Sequence, residues 1–324
     1  MPSPRFVHLR FHSEYSITDG IVRIDPMIHA VLEGGGAAVG ISDLMNVFGG
    51  LRFYTHALAA GRKPILGCDL KVINPKDLNK PFRLGVLCMN HEGYHSLSVL
   101  LTTAFLTNND AARGLVDPKW FDDGGSEGLI ALSGAAQGEL GSLLLGKKWA
   151  LAHEAAERFK AQFPGRFYVE LQRAGRPTDE LATARLANFA VEEKLPVVAT
   201  HPIQFLKPED FEAHEVRCSI AEGYTLQDPR RVKRYTPEQY LKSEAEMCEL
   251  FADIPAAIEN TVEIAKRCNL DGVLSKPQLP LFPTPDGMSL DDYIDQLSKE
   301  GLQKRLEFLY PDPKVLEERR PPYD

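Results

Sequence analysis

The chain has 324 residues, of which 44% are hydrophobic and 25% are charged, and its formal net charge is -8. This composition suits one large folded domain, or one domain and the start of a second, and it excludes a disordered or collagen-like chain. An acidic surface of this size repels a phosphate backbone, so we do not expect this segment to be the part of a protein that grips DNA.

Strand-like and helix-like segments alternate through the first 200 residues. Seven apolar segments are predicted to be strands, at residues 5–11, 37–42, 64–72, 83–89, 128–133, 166–171 and 196–200. The clearest helices cover residues 149–163 and 178–194, and an earlier helix is expected to open with Asp25 as its cap and Pro26 at its first position. The alternation predicts an α/β fold of mostly parallel β/α units. The pattern does not distinguish an open doubly wound sheet from a barrel.

The character of the sequence changes after residue 200. Helices dominate residues 207–268, where Ser243 and Glu246 predict a capping box. A proline-rich passage follows, and then one charged helix from residue 290 to about residue 310. We therefore predict a first domain at residues 1–275 and, at residues 276–324, a linker and helix that lead into something larger.

The cysteines and the first residues indicate the cellular setting. The five cysteines are widely spaced and never form a CxxC pair, which argues against a disulfide framework and a thiolate zinc site. The opening residues MPSPRFVHLRFHSEYS lack an apolar core of signal-peptide length, and no later run approaches the length of a membrane span. We expect a soluble, cytoplasmic protein with no membrane partner.

Polar side chains gather at the ends of the first predicted strands. Alternation along a strand places His8, Arg10 and His12 on one face, at the end where β/α barrels hold their active sites. Two interpretations remain open, a polar mouth with hydrogen-bonded imidazoles and a metal site, because histidine is the commonest metal ligand. Acidic residues also fall at or near successive strand ends, namely Asp19, Asp43 and Asp69. Each alone could serve a turn or a cap, but together they indicate one shared mouth.

Three segments, FVHLRFHSEYSITDG, VGISDLMNVFGGLRFY and GRKPILGCDLKV, resemble the start of bacterial DNA polymerase III alpha subunits. These proteins open with a polymerase and histidinol phosphatase (PHP) domain. The resemblance continues in order through EGLIALSG, RFYVELQRAGRP and LPVVATHPIQF to KEGLQKRLEFLYPDP, so it covers essentially the whole chain. It implies a distorted seven-stranded (β/α) barrel of PHP type, followed by a helical and proline-rich lead-in to the polymerase palm.

The resemblance also implies which residues occupy the positions of the family's metal ligands. In active members, metal ions in the barrel mouth hydrolyse phosphate esters with a metal-bound water. Three possible ligands remain here, His12, Asp19 and Asp69. The other ligand positions fall on Arg10, Leu44, Arg83, Gly134 or Ala135, Pro202 and Gln204. Further mouth residues that are not metal ligands by this alignment are His8, Asp43 and His201.

Both the number and the charge of these residues argue against a metal centre. A catalytic metal needs about three protein ligands and an open position, and a multinuclear centre needs more. Arg10 and Arg83 also place permanent positive charge where a cation would bind. We expect no metal and no catalytic residue in this chain, and we expect the arginines to pair with Asp19, Asp43 or Asp69.

The resemblance therefore implies a scaffold without catalysis, onto which a separate proofreading exonuclease docks. The parent polypeptide would be a Mg²⁺-dependent DNA-directed DNA polymerase, which also contacts DNA and other replisome subunits. The palm carboxylates of that family lie beyond this chain, so we do not expect it to polymerise. The alternative is residual metal-dependent phosphoesterase, pyrophosphatase or exonuclease activity built on His12, Asp19 and Asp69.

Overall fold

Six β-strands form one sheet in the larger of the two compact units into which the chain divides, residues 1–273 and residues 274–324. The computed structural model describes residues 5–107, 114–122, 124–271 and 282–323. The strands lie side by side in chain order. They are β1 (Ala38–Leu44), β2 (Lys63–Val72), β3 (Phe82–Cys88), β4 (Leu129–Leu132), β5 (Phe167–Gln172) and β6 (Val197–Thr200).

The sheet is mixed, whereas the sequence pattern predicted mostly parallel units. β1 is parallel to β2, and β4, β5 and β6 are parallel to one another. β3 runs antiparallel to both of its neighbours. Residues 73–81, which join β2 to β3, are too few for a crossover helix, and a short connection of this kind joins antiparallel strands.

The first predicted strand, residues 5–11, does not form a ladder with the sheet. Its backbone is tied on one side by hydrogen bonds from Gly40 N to His8 O (2.7 Å) and from Ser42 N to Phe11 O (2.9 Å). On the other side His12 N donates to Ile203 O (3.0 Å) beyond β6. The described residues therefore contain a curled six-stranded sheet with a bridging segment at its edge, and the predicted seven strands are not confirmed.

Two features determine the conformation of the bridging segment, residues 5–11. It packs closely against β1, and it forms no continuous ladder with the sheet. A Cβ atom on Gly40 would lie 2.9 Å from Leu9 O, so the close approach of the two backbones requires glycine there. Val7 and Leu9 belong to an inner apolar cluster, whereas Phe11 belongs to the main core. The side-chain alternation therefore shifts between Leu9 and Phe11, because no continuous ladder fixes the pleat.

Helices cover the sheet in the larger unit. They are α1 (Ile24–Glu33), α2 (Gly50–Ala59), α3 (His91–Thr107), α4 (Glu139–Leu145), α5 (Trp149–Gln162), α6 (Asp179–Glu192), α7 (Phe211–Glu222), α8 (Glu244–Leu250) and α9 (Pro255–Arg267). The capping box of α8 is confirmed, since Ser243 Oγ accepts from Glu246 N (3.2 Å) and the Glu246 carboxylate accepts from Ser243 N (2.7 Å). The predicted cap of α1 is wrong. Arg23 is its N-cap, Pro26 is its third residue, and the Asp25 carboxylate instead accepts from Arg52 and contacts His56.

Apolar packing fills both sides of the sheet. β1, β4 and β5 are buried along their whole length, as expected for strands covered on both faces. The main core lies between the sheet and its helices. On the inner face, residues such as Ile65 and Leu132 pack with Ile264 of α9. Asp69 lies four residues after Ile65 on the same face of β2, so the inner face changes from apolar to polar along the strand.

The second unit, residues 274–324, contains α10 (Leu290–Leu309) and α11 (Pro313–Arg319). Ser289 caps α10 by accepting from Asp292 N (3.1 Å), and α10 matches the helix predicted from residue 290. The predicted boundary after residue 275 and most of the proline-rich passage lie outside the described residues. In the parts of the chain that the structure describes, no helix is both long enough and apolar enough to cross a membrane.

Candidate functional site

A polar cavity of about 60 Å³ lies at the polar end of the inner face. Its lining residues are Arg10, His12, Asp19, Asp69, Arg83, Gln137, Gln172, Arg176, Pro202, Gln204, Arg234 and Tyr235. The structure thus brings together all three of the retained ligand positions and four of the substituted ones. Of the two remaining positions, Leu44 packs into the main apolar core, and the one at Gly134 or Ala135 does not line the cavity.

Arg10 forms the centre of the site. Its Nη2 lies 2.5 Å from Asp69 Oδ2, and its Nη1 donates to both carboxylate oxygens of Glu170 at 3.1 and 3.0 Å. All three side chains are buried. Burial opposes the positive charge, but the two carboxylates more than compensate and raise the pKa of Arg10 above its ordinary value. Arg83 adds a second contact to the same oxygen of Asp69, at 3.3 Å.

Glu170 is a buried carboxylate of this network that the sequence analysis did not identify. It also accepts from Gly134 N (2.9 Å), Gln172 Nε2 (3.0 Å) and the Thr200 hydroxyl. The signal was present, since Glu170 lies in the otherwise largely apolar strand FYVELQ, and a charge in a buried strand requires partners. The resemblance places a side-chain ligand of the family near Gly134. In this chain Gly134 instead donates its backbone N–H to Glu170.

His12 lies between two carboxylates. Its Nδ1 is 3.2 Å from Asp19 Oδ1, and its Nε2 is 3.3 Å from Asp69 Oδ2. Burial opposes the charged imidazole, but Asp19 and Asp69 outweigh it and raise the pKa of His12 to about 9. Burial likewise opposes ionisation of the carboxylates. Even so, His12 lowers the pKa of Asp19, and Arg10 and Arg83 hold the pKa of Asp69 well below its ordinary value.

This arrangement does not fit a divalent metal ion. Both ring nitrogens of His12 already face carboxylate oxygens, of Asp19 and Asp69, and Asp69 Oδ2 is already held by Arg10 and Arg83. Two guanidinium groups beside that oxygen would repel a cation. Among the residues that the structure describes, no group of three or more His, Cys, Asp or Glu side chains is placed to hold a metal.

The predicted pairing of the arginines is therefore found at Asp69. Asp19 instead contacts His12 and accepts from the Tyr235 hydroxyl at 3.2 Å. Asp43 lies outside the cavity and holds the turn after the bridging segment. It accepts from Ser13 N (2.6 Å), Ser13 Oγ (2.7 Å) and Ser16 Oγ (2.8 Å). Burial raises the pKa of Asp43, and the hydrogen bonds oppose that shift.

Residues 223–243, which we call the strap, join α7 to α8 and supply Arg234 and Tyr235 to the cavity. Two buried or half-buried histidines hold the strap. His8 Nε2 donates to Lys242 O and His201 Nε2 donates to Glu238 O, both at 2.8 Å. The prediction that His8 shares a face with Arg10 and His12 is wrong, because the alternation shifts in this segment. His201 does not line the cavity either.

The two strap histidines predict a loss of stability in acid. Burial lowers the pKa of His8 to about 4, and burial together with His8 lowers that of His201 to about 3. The unfolded chain, with an ordinary pKa near 6.5, then binds more protons than the folded chain, so stability is full above that pH and falls as the pH drops. Lowering the pH from 7 to 5 should cost about 2 kcal/mol for His8 alone.

Urea unfolding of the chain at pH 7 and pH 5 would measure this effect. His8→Gln keeps a donor for Lys242 O but cannot titrate, so its unfolding free energy should depend less steeply on pH than that of the unchanged chain. Equal slopes for the two proteins would contradict the assignment of a neutral, carbonyl-bound His8.

Residues 8–174 match a family model described as the PHP domain. The chain belongs to the PHP domain family. This match runs from the bridging segment through β5, so it includes Arg10, His12, Asp69 and Glu170 but not the strap.

Curated relatives extend the similarity beyond the PHP domain. The DNA polymerase III subunit alpha of Neisseria meningitidis serogroup B is 48% identical over 325 residues, and that of Escherichia coli K12 is 44% identical over 324 residues. Each alignment covers 100% of this chain and 28% of the relative. The resemblance to these alpha subunits is thus confirmed along the whole chain, which spans 28% of their length.

Solved structures align with this PHP domain only distantly. An amidohydrolase from Chromobacterium violaceum superposes with a TM-score of 0.44 and 11% identity, over 61% of this chain and 87% of that one. This superposition is too loose to inform the site.

Proposed function

We propose that this chain is the amino-terminal PHP domain of a replicative DNA polymerase and serves there as a scaffold without catalysis. The observation that supports the scaffold role is the guanidinium of Arg10, 2.5 Å from Asp69, at a position that the family resemblance gives to a metal ligand. Primer extension, with its Mg²⁺ ions, would belong to other parts of the parent polypeptide, which would work in the bacterial cytoplasm with DNA and the other replisome subunits.

The bonding of the cavity favours architecture over hydrolysis. Metal-assisted hydrolysis needs an open coordination position and a bound water of lowered pKa. Here Arg10 contacts both Asp69 and Glu170, and His12 contacts Asp69. Ion pairs and hydrogen bonds between buried side chains restrict the motion of the groups that form them. A rigid domain suits a protein that positions a partner.

The partner that we propose is a separate proofreading exonuclease subunit. The resemblance to polymerase III alpha subunits supports this proposal, and so does the net charge of -8, which suits a protein partner better than a phosphate backbone. Isothermal titration of the 324-residue chain with the cognate exonuclease subunit would test it. We expect association at micromolar concentration or tighter, and the same affinity for His12→Gln, because His12 is buried in the cavity.

Failure to associate at about tens of micromolar, with the chain shown to be folded by circular dichroism, would refute docking. The competing function, residual phosphoesterase activity, has its own test. Crystals soaked in manganese should show no metal cluster at Asp69, and the protein should release no phosphate from pyrophosphate. Metal density together with phosphate release that His12→Gln abolishes would establish an enzyme and overturn the scaffold proposal.

A further inference from the structure

A surface that is both apolar and basic lies on α7 and the first part of the strap, at residues 216–235, and we call it the outer patch. Its exposed hydrophobic side chains are Val216, Ile220, Tyr224, Leu226 and Val232. Ile220 and Val232 are the most exposed of them, at 70% and 62%. Single exposed apolar side chains are ordinary on a folded protein, whereas several that lie together indicate a contact surface.

The register of α7 turns the apolar part of the outer patch away from the core. Val216 and Ile220 are four residues apart and therefore lie on one face of the helix. The opposite face holds His214 and Cys218, which are buried. Tyr224 follows directly after the helix, where its backbone N donates to Ser219 O at 3.0 Å. The exposed apolar side chains thus begin on α7 and continue beyond its end.

Ion pairs hold the strap against α7. Arg231, which is buried, contacts Glu215 at 2.7 Å and Glu222 at 4.0 Å. Arg234 contacts the same Glu222 at 3.4 Å. Because these contacts bring residues 231–234 beside the helix, the exposed part of the strap and the exposed face of α7 are neighbours. The outer patch is therefore one surface built from two segments.

The outer patch is basic although the chain as a whole is acidic. Its cations are Arg217, Arg230, Arg231, Lys233 and Arg234, and its anions are Glu222 and Asp228, so it has an excess of three positive charges in a chain of net charge -8. Lys233 is exposed and forms no ion pair with any residue that the structure describes. Arg230 and Arg234 are also largely exposed, although each contacts one carboxylate. Such an excess attracts a negatively charged partner.

The apolar side chains favour an acidic protein segment over a nucleic acid. A phosphate backbone would use the cations but would leave Ile220 and Val232 exposed to water. The guanidinium of Arg230 lies over the ring of Tyr224, 5.5 Å from its centroid, so that ring is not open for base stacking. The rest of the chain is acidic and repels a polyanion. An amphipathic helix whose apolar face is flanked by carboxylates satisfies both the apolar and the basic side chains.

We propose that the outer patch binds an acidic amphipathic helix of a partner protein. The exposed side chains of Val216, Ile220 and Val232 cover the apolar face of that helix. The cations of Arg230, Lys233 and Arg234 pair with its carboxylates at the rim. The proposal follows from the chemistry of this surface and does not rest on the proposed exonuclease partner.

Titration of the full 324-residue chain with a synthetic acidic helix tests this surface. The probe is a peptide of about 18 residues, roughly five helical turns, with leucine on one face and glutamate beside it. A second peptide with lysine in place of every glutamate should bind at least about tenfold more weakly. Ile220→Ser should weaken binding of the acidic peptide about tenfold, as expected for a central apolar contact. Lys233→Glu should also weaken it and reduce its dependence on salt.

Two exposed positions elsewhere provide matched controls. Val191→Ser changes an apolar side chain on α6 that is 79% exposed, and Lys76→Glu reverses an exposed charge between β2 and β3. Both variants should bind the acidic peptide as the unchanged chain does. Because Ile220 and Lys233 are exposed as well, their substitution should leave the fold intact, which circular dichroism would verify.

Other occupants of the outer patch would give different results. Dimerisation of the chain alone in analytical ultracentrifugation, lost in Ile220→Ser, would assign the surface to a second copy and overturn the proposal. Tighter binding of oligothymidylate than of the acidic peptide, lost in Lys233→Glu, would assign it to nucleic acid and overturn the proposal as well. So would a failure of the acidic peptide to bind, or equal binding by Ile220→Ser and Val191→Ser. The exonuclease is absent from these mixtures, so a failure of exonuclease docking would leave their outcome unchanged.

Discussion

Replacing Arg10 with methionine should lower the free energy of unfolding by about 3–5 kcal/mol, the cost of removing one partner from a buried ion pair. Methionine fills much of the space of the arginine stem but leaves Glu170 without its cationic partner in a fully buried position. Asp69 would keep two partners, because Arg83 and His12 still contact it. Urea unfolding of the chain, followed by circular dichroism, would measure the loss.

Two variants make this result specific to the ion pair. Arg23→Met changes an arginine whose side chain is 78% exposed, and it should alter stability by no more than about 0.5 kcal/mol. Arg10→Met combined with Glu170→Gln removes the stranded charge as well, so it should recover part of the lost stability. If Arg10→Met is as mild as Arg23→Met, the network around Asp69 contributes little to the fold.

The stability of this PHP domain should fall in alkaline solution through His12. Its folded pKa of about 9 lies above the unfolded value near 6.5, so the folded chain holds the extra proton more tightly. The stabilisation is therefore complete below about pH 6.5 and is lost as the pH rises through 9. The pKa difference corresponds to about 3 kcal/mol.

Unfolding free energies measured from pH 6 to pH 10 would reveal this contribution by difference. His12→Gln cannot titrate, so its curve should lack the alkaline decline that the unchanged chain shows. His29→Gln removes an exposed imidazole on α1 and controls for the loss of a histidine as such. Parallel curves for the unchanged chain and His12→Gln would mean that the imidazole between Asp19 and Asp69 carries no charge in the folded protein.

Local sequence patterns predicted the strands of the sheet well, because strands buried on both faces read as continuous apolar runs. The positions of β2 and β5 in the sequence, for example, were predictable from such apolar runs. The direction of β3 and the irregular pairing of the bridging segment depend on contacts between residues that are far apart in the sequence. Local sequence patterns do not contain this information. The misplaced His8 has the same cause, since alternation holds only where a ladder fixes the pleat.

The site was predictable where the family resemblance supplied positions and not elsewhere. Arg10, His12 and Asp69 were identified in this way and do meet in one cavity. Glu170 was missed although its charge in an apolar strand was visible. Arg176 and Tyr235 were missed because the folded chain alone brings the end of β5 and the strap against the bridging segment.

The burial of Leu44 in the main core would make a metal-dependent hydrolytic site difficult to engineer at this mouth. A histidine introduced there would place a polar ring in an apolar core, and an unpaired polar group in such surroundings costs free energy before any metal binds. Ligands reinstated one at a time would therefore pass through weakened proteins. A designer would have to rebuild the packing beneath the mouth together with the ligands above it.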